Sequence, residues 1–206
     1  MKQVHLQKNN RYEKVHSSAT MFNFFTITKH KIMVMKTCFS LGMYRQGILH
    51  DLSKYSLTEF IPGCKYYQGN SSPNNEERKR TGLSLAWLHH KGRNKHHYEY
   101  WIDYSGQKEQ PLAGMKMPEC YVVEMFVDRI CASKNYQKEA YTDKSPLAYY
   151  ERGNGHYVIH KETQALLEEL LVMLAQKGEK ETFAYIKNNH LNKRGERNGR
   201  SKENIV

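Results

Sequence analysis

Across most of its length this chain sets apolar residues three and four positions apart, and it rarely alternates them in twos. That spacing builds a buried stripe on a helix and does not build the face of a sheet. It commits the chain to an all-α layout. The stretch EMFVDRICAS is the densest case, where Val122, Met125, Phe126, Val127 and Ile130 mark a well-buried helix over about 119–134. Leu166, Leu167, Leu170, Leu171 and Leu174 set a second core stripe between Thr163 and Gln176. An earlier helix is expected from a cap at Ser17 or Ser18 through Phe22, Phe25, Ile32 and Met35 toward Cys38, then one over Leu41 to Asp51. Ser56 and Glu59 have the S-x-x-E form of a capping box, which would start a third helix that stops before Pro62-Gly63. Helices are also expected over about 75–91, in part over 141–155, and over 179–189. Residues 69–75 and 105–118, rich in Gly, Pro and small polar residues, read as loops.

A chain of 206 residues can close one domain with a real core. No repeat or linker divides it, so residues 1–186 read as one helical domain and 187–206 as a basic, flexible tail. The tail holds six Lys/Arg against two Glu, and the whole chain carries 32 − 21 = +11. Such a balance attracts polyanions, either a small anionic substrate or nucleic acid, although for the tail itself a solvated surface is the favoured reading. The longest apolar runs are short and broken by charge, so no membrane span is expected. No apolar signal-type stretch follows MKQVHLQKNNRYEKVHSS, and the expected location is the cytoplasm. Cys38, Cys64, Cys120 and Cys131 form no CxxC pair and read as reduced thiols.

The chemistry lies in the histidines and one aspartate. There are eleven histidines: His50 and Asp51 adjoin in GILHDLSK, and His89, His90, His96 and His97 crowd into WLHHKGRNKHHYEYW. Adjacent residues on a helix point about 100° apart, so His50 and Asp51 can share an ion only at a helix end. The two histidine pairs are seven residues apart, nearly two turns, with Gly92 and Asn94 between them to break the helix. Which member of each pair faces inward stays open. Asp128 sits among Phe126, Val127, Ile130 and Cys131. A buried carboxylate needs a cation, and two are available: a neighbour such as Arg129, or a metal ion. Neutral imidazole binds Fe, Mn, Zn, Ni and Co well, and carboxylates add charge and hard oxygen.

The order His30, then His50-Asp51, then Asp128 resembles the H…HD…D signature of the HD-domain superfamily, and HDLSK resembles its frequent HDIGK. The intervening histidines resemble the extended form that holds two metals. More narrowly, HDLSKYSLTEF followed by AWLHHKGRNKHHYEYW resembles an uncharacterised bacterial and phage family within reach of that superfamily. The resemblance implies a single HD-like helical bundle around a metal cleft. It implies His30, His50, Asp51 and Asp128 as ligands of a first ion, with His90 and His97 added for a second. The ions would be one or two divalent metals among Fe, Mn, Zn, Ni, Co and Mg. His89 and His96 would stand behind them, or replace their neighbours if the helix phase differs by one.

The leading expectation is metal-dependent hydrolysis of a phosphate ester, on a nucleotide or a similar substrate. Lys54 and Arg93 would touch the phosphate, with Arg129 as a further cation, and His96 would serve as acid or base. Glu59 could share that last role, but its place in the capping box is the plainer reading. An alternative keeps the ligands and uses two irons to activate dioxygen. A third makes the metal site structural and assigns the basic tail, with tyrosines such as Tyr66, Tyr67, Tyr98, Tyr100, Tyr149 and Tyr150, to nucleic-acid binding.

Overall fold

A helix buried at every residue from Val122 to Val127 must lie between other elements, and Glu119–Gln137 does so. Val123, Phe126 and Val127 on it are fully buried. In the computed structural model, which describes the backbone of residues 2–153 and 157–191 and the side chains within them from Ser18 onward, this helix is α6. Before it come α1 (Lys2–Ser40), α2 (Tyr44–Leu49), α3 (Leu57–Lys65), α4 (Pro73–Thr81) and α5 (Leu85–Lys91). After it come α7 (Ser145–Arg152) and α8 (Lys161–Ile186). The all-α layout read from the sequence is the one observed. Val34 and Cys38 of α1 pack on one side of α6, and Leu167, Leu170, Leu171 and Leu174 of α8 on another. α3 lies against α1, α4 and α5. Among the described residues, no helix is long and apolar enough to cross a membrane.

Several boundaries differ from the sequence reading, each for a local reason. α1 runs through Ser17-Ser18 back to Lys2, because no Gly or Pro interrupts residues 2–16. Phe22, Phe25 and Ile32, expected on its buried side, are exposed; the inward stripe is instead Asn23, His30, Val34 and Cys38. The Ser56–Glu59 capping box does not form: Ser56 makes no side-chain cap, and Glu59 is buried elsewhere. α3 continues through Pro62-Gly63. There α1 and α3 cross closely, and a Cβ on Gly63 would stand 2.9 Å from Asn23 Nδ2.

The single helix expected over 75–91 is two. Gly82, at φ +84°, ends α4, and the Ser84 hydroxyl accepts the Trp87 N–H at 3.0 Å to start α5. The expected loop 105–118 contains β2 (Leu112–Gly114), which pairs antiparallel with β1 (Ile102–Tyr104), Asp103 opposite Ala113. The break expected before 179 appears as a kink in α8 at Gly178. Residues 187–191 form a π turn, and the rest of the expected tail, 192–206, lies outside the described residues. All four cysteines are free thiols. Burial pushes the Cys38 thiol up, and that of Cys131 up to about 11.

Candidate metal centre

The His50-Asp51 pair sits where α2 stops. His50 closes that helix, its N–H donating to the Gln46 carbonyl at 2.8 Å, and Asp51 takes a left-handed conformation at φ +54°. Asp is among the few side chains that accept this conformation at modest cost. The reversal turns both side chains the same way, which a continuous helix forbids. Lys31 of α1 fastens the turn, donating from Nζ to the carbonyls of Ile48 and His50 at 2.8 Å each. His30, the residue before it on α1, reaches the same place from its own face of the helix, with Asp128 and Asp51 as neighbours.

Four side chains from three parts of the chain meet there. His30 Nε2 lies 2.8 Å from Asp128 Oδ1 and 3.8 Å from Asp51 Oδ2. His50 Nε2 lies 3.4 Å from Asp51 Oδ2 and 3.5 Å from Asp128 Oδ1. A second group shares Asp51. Its other oxygen, Oδ1, lies 3.3 Å from His90 Nε2 and 3.5 Å from His96 Nε2, and His90 Nε2 lies 2.9 Å from His97 Nε2. Ligand atoms about 2.1 Å from one ion stand about 3.0–3.4 Å apart in octahedral or tetrahedral geometry. The observed separations, 2.8 to 3.8 Å, bracket that range. In each group all the donor atoms fall within 4.8 Å of one another.

Carboxylates behind the imidazoles fix which nitrogen points inward. An ionised carboxylate only accepts hydrogen bonds, so a ring nitrogen against it must be the donor N–H. Glu124 Oε1 takes His50 Nδ1 at 3.0 Å and His96 Nδ1 at 3.2 Å. Glu59 takes His90 Nδ1 on one oxygen at 2.7 Å and His89 Nδ1 on the other at 2.6 Å. Asn94 donates to Ser53 Oγ and the His90 carbonyl, both at 2.8 Å, and so holds the 90–97 turn. The Nε2 lone pairs of His50, His90 and His96 are thereby directed at the shared aspartate. Nδ1 atoms hydrogen-bonded to carboxylates are the usual backing of metal-bound histidine.

Three of the buried atoms that make no hydrogen bond among the described residues lie at this centre: His50 Nε2, His96 Nε2 and Asp51 Oδ1. Buried polar atoms are rarely left without a partner. One belongs to the first group, one to the second, and the third joins them. A cation supplies what all three lack, so the residues present fit a divalent ion in each group.

The electrostatics agree with the geometry. Desolvation drives every buried carboxyl here toward its neutral form, yet His50, Lys54 and His90 hold Asp51 well below the usual carboxylate range, and His30 and His50 do the same to Asp128. Glu124 and Glu59 are also held low by the histidines they face. Burial lowers His30, and burial next to His96 and His90 puts His97 well below the ordinary histidine value, so both stay neutral with a lone pair free. His50 and His90 are also desolvated, but the surrounding carboxylates outweigh this and raise both.

The structure thus brings together all six expected ligands, His30, His50, Asp51, His90, His97 and Asp128. His96, expected as an acid or base, instead places its Nε2 beside those donors. His89 stands outside, against Glu59. Lys54 is on the cavity wall with Nζ 2.6 Å from Asp51 Oδ2. Arg93 is not on that wall: it is exposed, and its Nη1 reaches the His89 carbonyl at 3.4 Å, because the turn at Gly92 carries it outward. Asp128 does not pair with Arg129; its partners are His30 and His50. Glu124 was legible one turn before Asp128, since i and i+4 share a helix face. A cavity of about 610 Å³ opens over the donors, lined among others by His30, Lys54, His90, His97 and Asp128.

A family model described as a family of unknown function, DUF5662, matches residues 19–173, a span that contains every donor above. Comparison with curated proteins and with solved structures returns no match.

Proposed function

The chain belongs to the DUF5662 family, whose function is unknown, and we propose that it is a metal-dependent phosphohydrolase of the HD type acting on a phosphate-containing substrate such as a nucleotide. One observation carries this reading. Asp51 offers one oxygen to each of two donor groups, and those groups open on a common cavity. A carboxylate shared in this way would help to hold an ion in each group, as suits phosphoryl transfer. Bound there, divalent cations would supply Lewis acidity, activating a water and offsetting phosphoryl charge.

The chain's own residues do the rest. His30, His50 and Asp128 hold one side of the site and His90, His96 and His97 the other, while Glu124 and Glu59 keep the imidazoles turned inward. Lys54 stays protonated, since Asp51 raises its ammonium above the ordinary lysine value despite desolvation. From the cavity wall it is placed to pair with a phosphoryl oxygen. The order H…HD…H…H…D and the HDLSK turn are the basis for the HD assignment.

A second reading, a di-iron oxygenase on the same ligands, draws on the donor balance. Five imidazoles against two carboxylates is a nitrogen-rich set that suits iron. Elemental analysis of protein purified without added metal tests both. Two equivalents of a divalent metal are expected, with hydrolysis of a generic phosphate ester that a chelator stops. His50→Ala and Asp128→Ala should each lose the equivalent held by the first group, and hydrolysis with it. Unchanged metal content in both folded variants would remove the site. Iron with visible charge-transfer absorption after aerobic isolation, and no hydrolysis, would move the assignment to the oxygenase.

A further inference from the structure

Beyond the donors, the cavity wall carries three arginines from three helices: Arg78 of α4, Arg129 of α6 and Arg152 of α7. None of them forms an ion pair with a carboxylate among the described residues. Arg78 donates only to the Asn75 side chain, at 3.1 Å. Arg152 lies over the Tyr149 ring at 5.5 Å, and Arg129 over the Tyr150 ring at 5.6 Å. Arg129 Nε is buried with no hydrogen-bond partner. A buried guanidinium nitrogen without an acceptor is costly, and this one stands on the wall of the cavity that opens over the metal donors.

The charge balance has the same sense. With Lys54, the wall holds four fixed cations against Asp128 and Glu99. Asp128 and Arg129 are neighbours in the chain but make no ion pair, so they serve different parts of the wall. A cavity of about 610 Å³ is of the size that takes a whole organic ligand, well beyond one inorganic phosphate.

We infer that the substrate carries two separated anionic groups, one reacting at the metal centre and a second, phosphate or carboxylate, held by Arg78, Arg129 and Arg152. This rests on the phosphohydrolase reading and narrows its substrate class. Planar guanidinium groups match either anion with paired hydrogen bonds.

Two matched pairs of probes test it: adenosine 5′-monophosphate against adenosine 3′,5′-bisphosphate, and glycerol 1-phosphate against 3-phosphoglycerate. Calorimetric binding and kcat/KM are measured on the metal-loaded protein. The doubly anionic member of at least one pair should bind about tenfold or more tightly, as one charge-assisted contact would give. Preference in the first pair alone identifies phosphate, and in the second alone carboxylate. In Arg129→Gln the preference should fall toward one, and so it should in Arg152→Gln, an exposed position that serves if Arg129→Gln does not fold. No preference in either pair, or a preference that both variants retain, overturns the inference. Binding preference with no hydrolysis of any probe would sink the phosphohydrolase reading and leave the two-anion site standing.

Discussion

The two donor groups that share Asp51 are built in opposite ways. The first joins His30 of α1, His50 at the end of α2 and Asp128 of α6, His30 and Asp128 being 98 positions apart in the chain. The second takes His90, His96 and His97 from one short turn and adds only the aspartate. The first group therefore exists only when α1 and α6 are packed, and each of its members reports on the core. The second is held within its turn by Asn94 on the His90 carbonyl, and from outside by Ser53 and by Glu59 of α3 rather than by the α1–α6 contact. A protein that loosens across the α1–α6 contact should lose the first group and keep most of the second.

The sharpest way to break this comparison is at the shared atom pair. Asp51→Asn keeps the size and the tolerance for positive φ but removes the charge that both groups use. Metal content should fall from two equivalents to near zero, measured by elemental analysis, with the helical circular-dichroism signal kept. Asp128→Ala and His97→Ala should instead each remove one equivalent, from the first and second groups respectively. Loss of a single equivalent in Asp51→Asn would show that the aspartate belongs to one ion only.

The carboxylates behind the histidines sharpen the comparison at smaller amplitude. Glu124 backs His50 of the first group and His96 of the second, whereas Glu59 backs His90 alone among the donors. Removing such backing weakens metal binding by about 10–100-fold. Glu124→Gln should therefore weaken both equivalents by that order, and Glu59→Gln only one, in competition titrations with a chelator. Equal effects of the two variants on both equivalents would contradict the assignment of the groups.

How much of this could be read from the sequence follows the same division. Asp128 stood out because a charged residue in an apolar context needs a partner, a cost visible without coordinates, and His50-Asp51 through their adjacency and the order H…HD…D. His96 could not be placed, since the phase of a turn broken at Gly92 and Asn94 depends on bonds to Ser53, far away in the chain. Glu59 was misread because a local motif, the capping box, offered it a role, while its two histidine partners lie 30 and 31 residues downstream. α1 misled for a related reason. Its aromatic stripe of Phe22 and Phe25 has stronger hydrophobicity than the polar stripe of Asn23 and His30 that the centre draws inward.

Proton competition gives the finest test. In the metal-free protein His50 and His90, one in each group, are raised above the ordinary histidine value, because carboxylates outweigh their desolvation. Raised histidine values stabilise the fold at low pH, and this contribution is lost as pH climbs through them. The lowered carboxylates of Asp51, Asp128 and Glu124 stabilise it at higher pH and lose that contribution as pH falls through their own range. The metal-free fold should thus be most stable between the two. A metal ion must displace the protons of His50 and His90, while His30 and His97, already neutral, release none. Binding should therefore release a proton from each group, read as a buffer-dependent calorimetric heat. The rise in Tm on adding metal should grow with pH across the neutral range. His97→Ala should keep the proton from the first group; if it abolishes all release, the protons do not reside where the carboxylates place them.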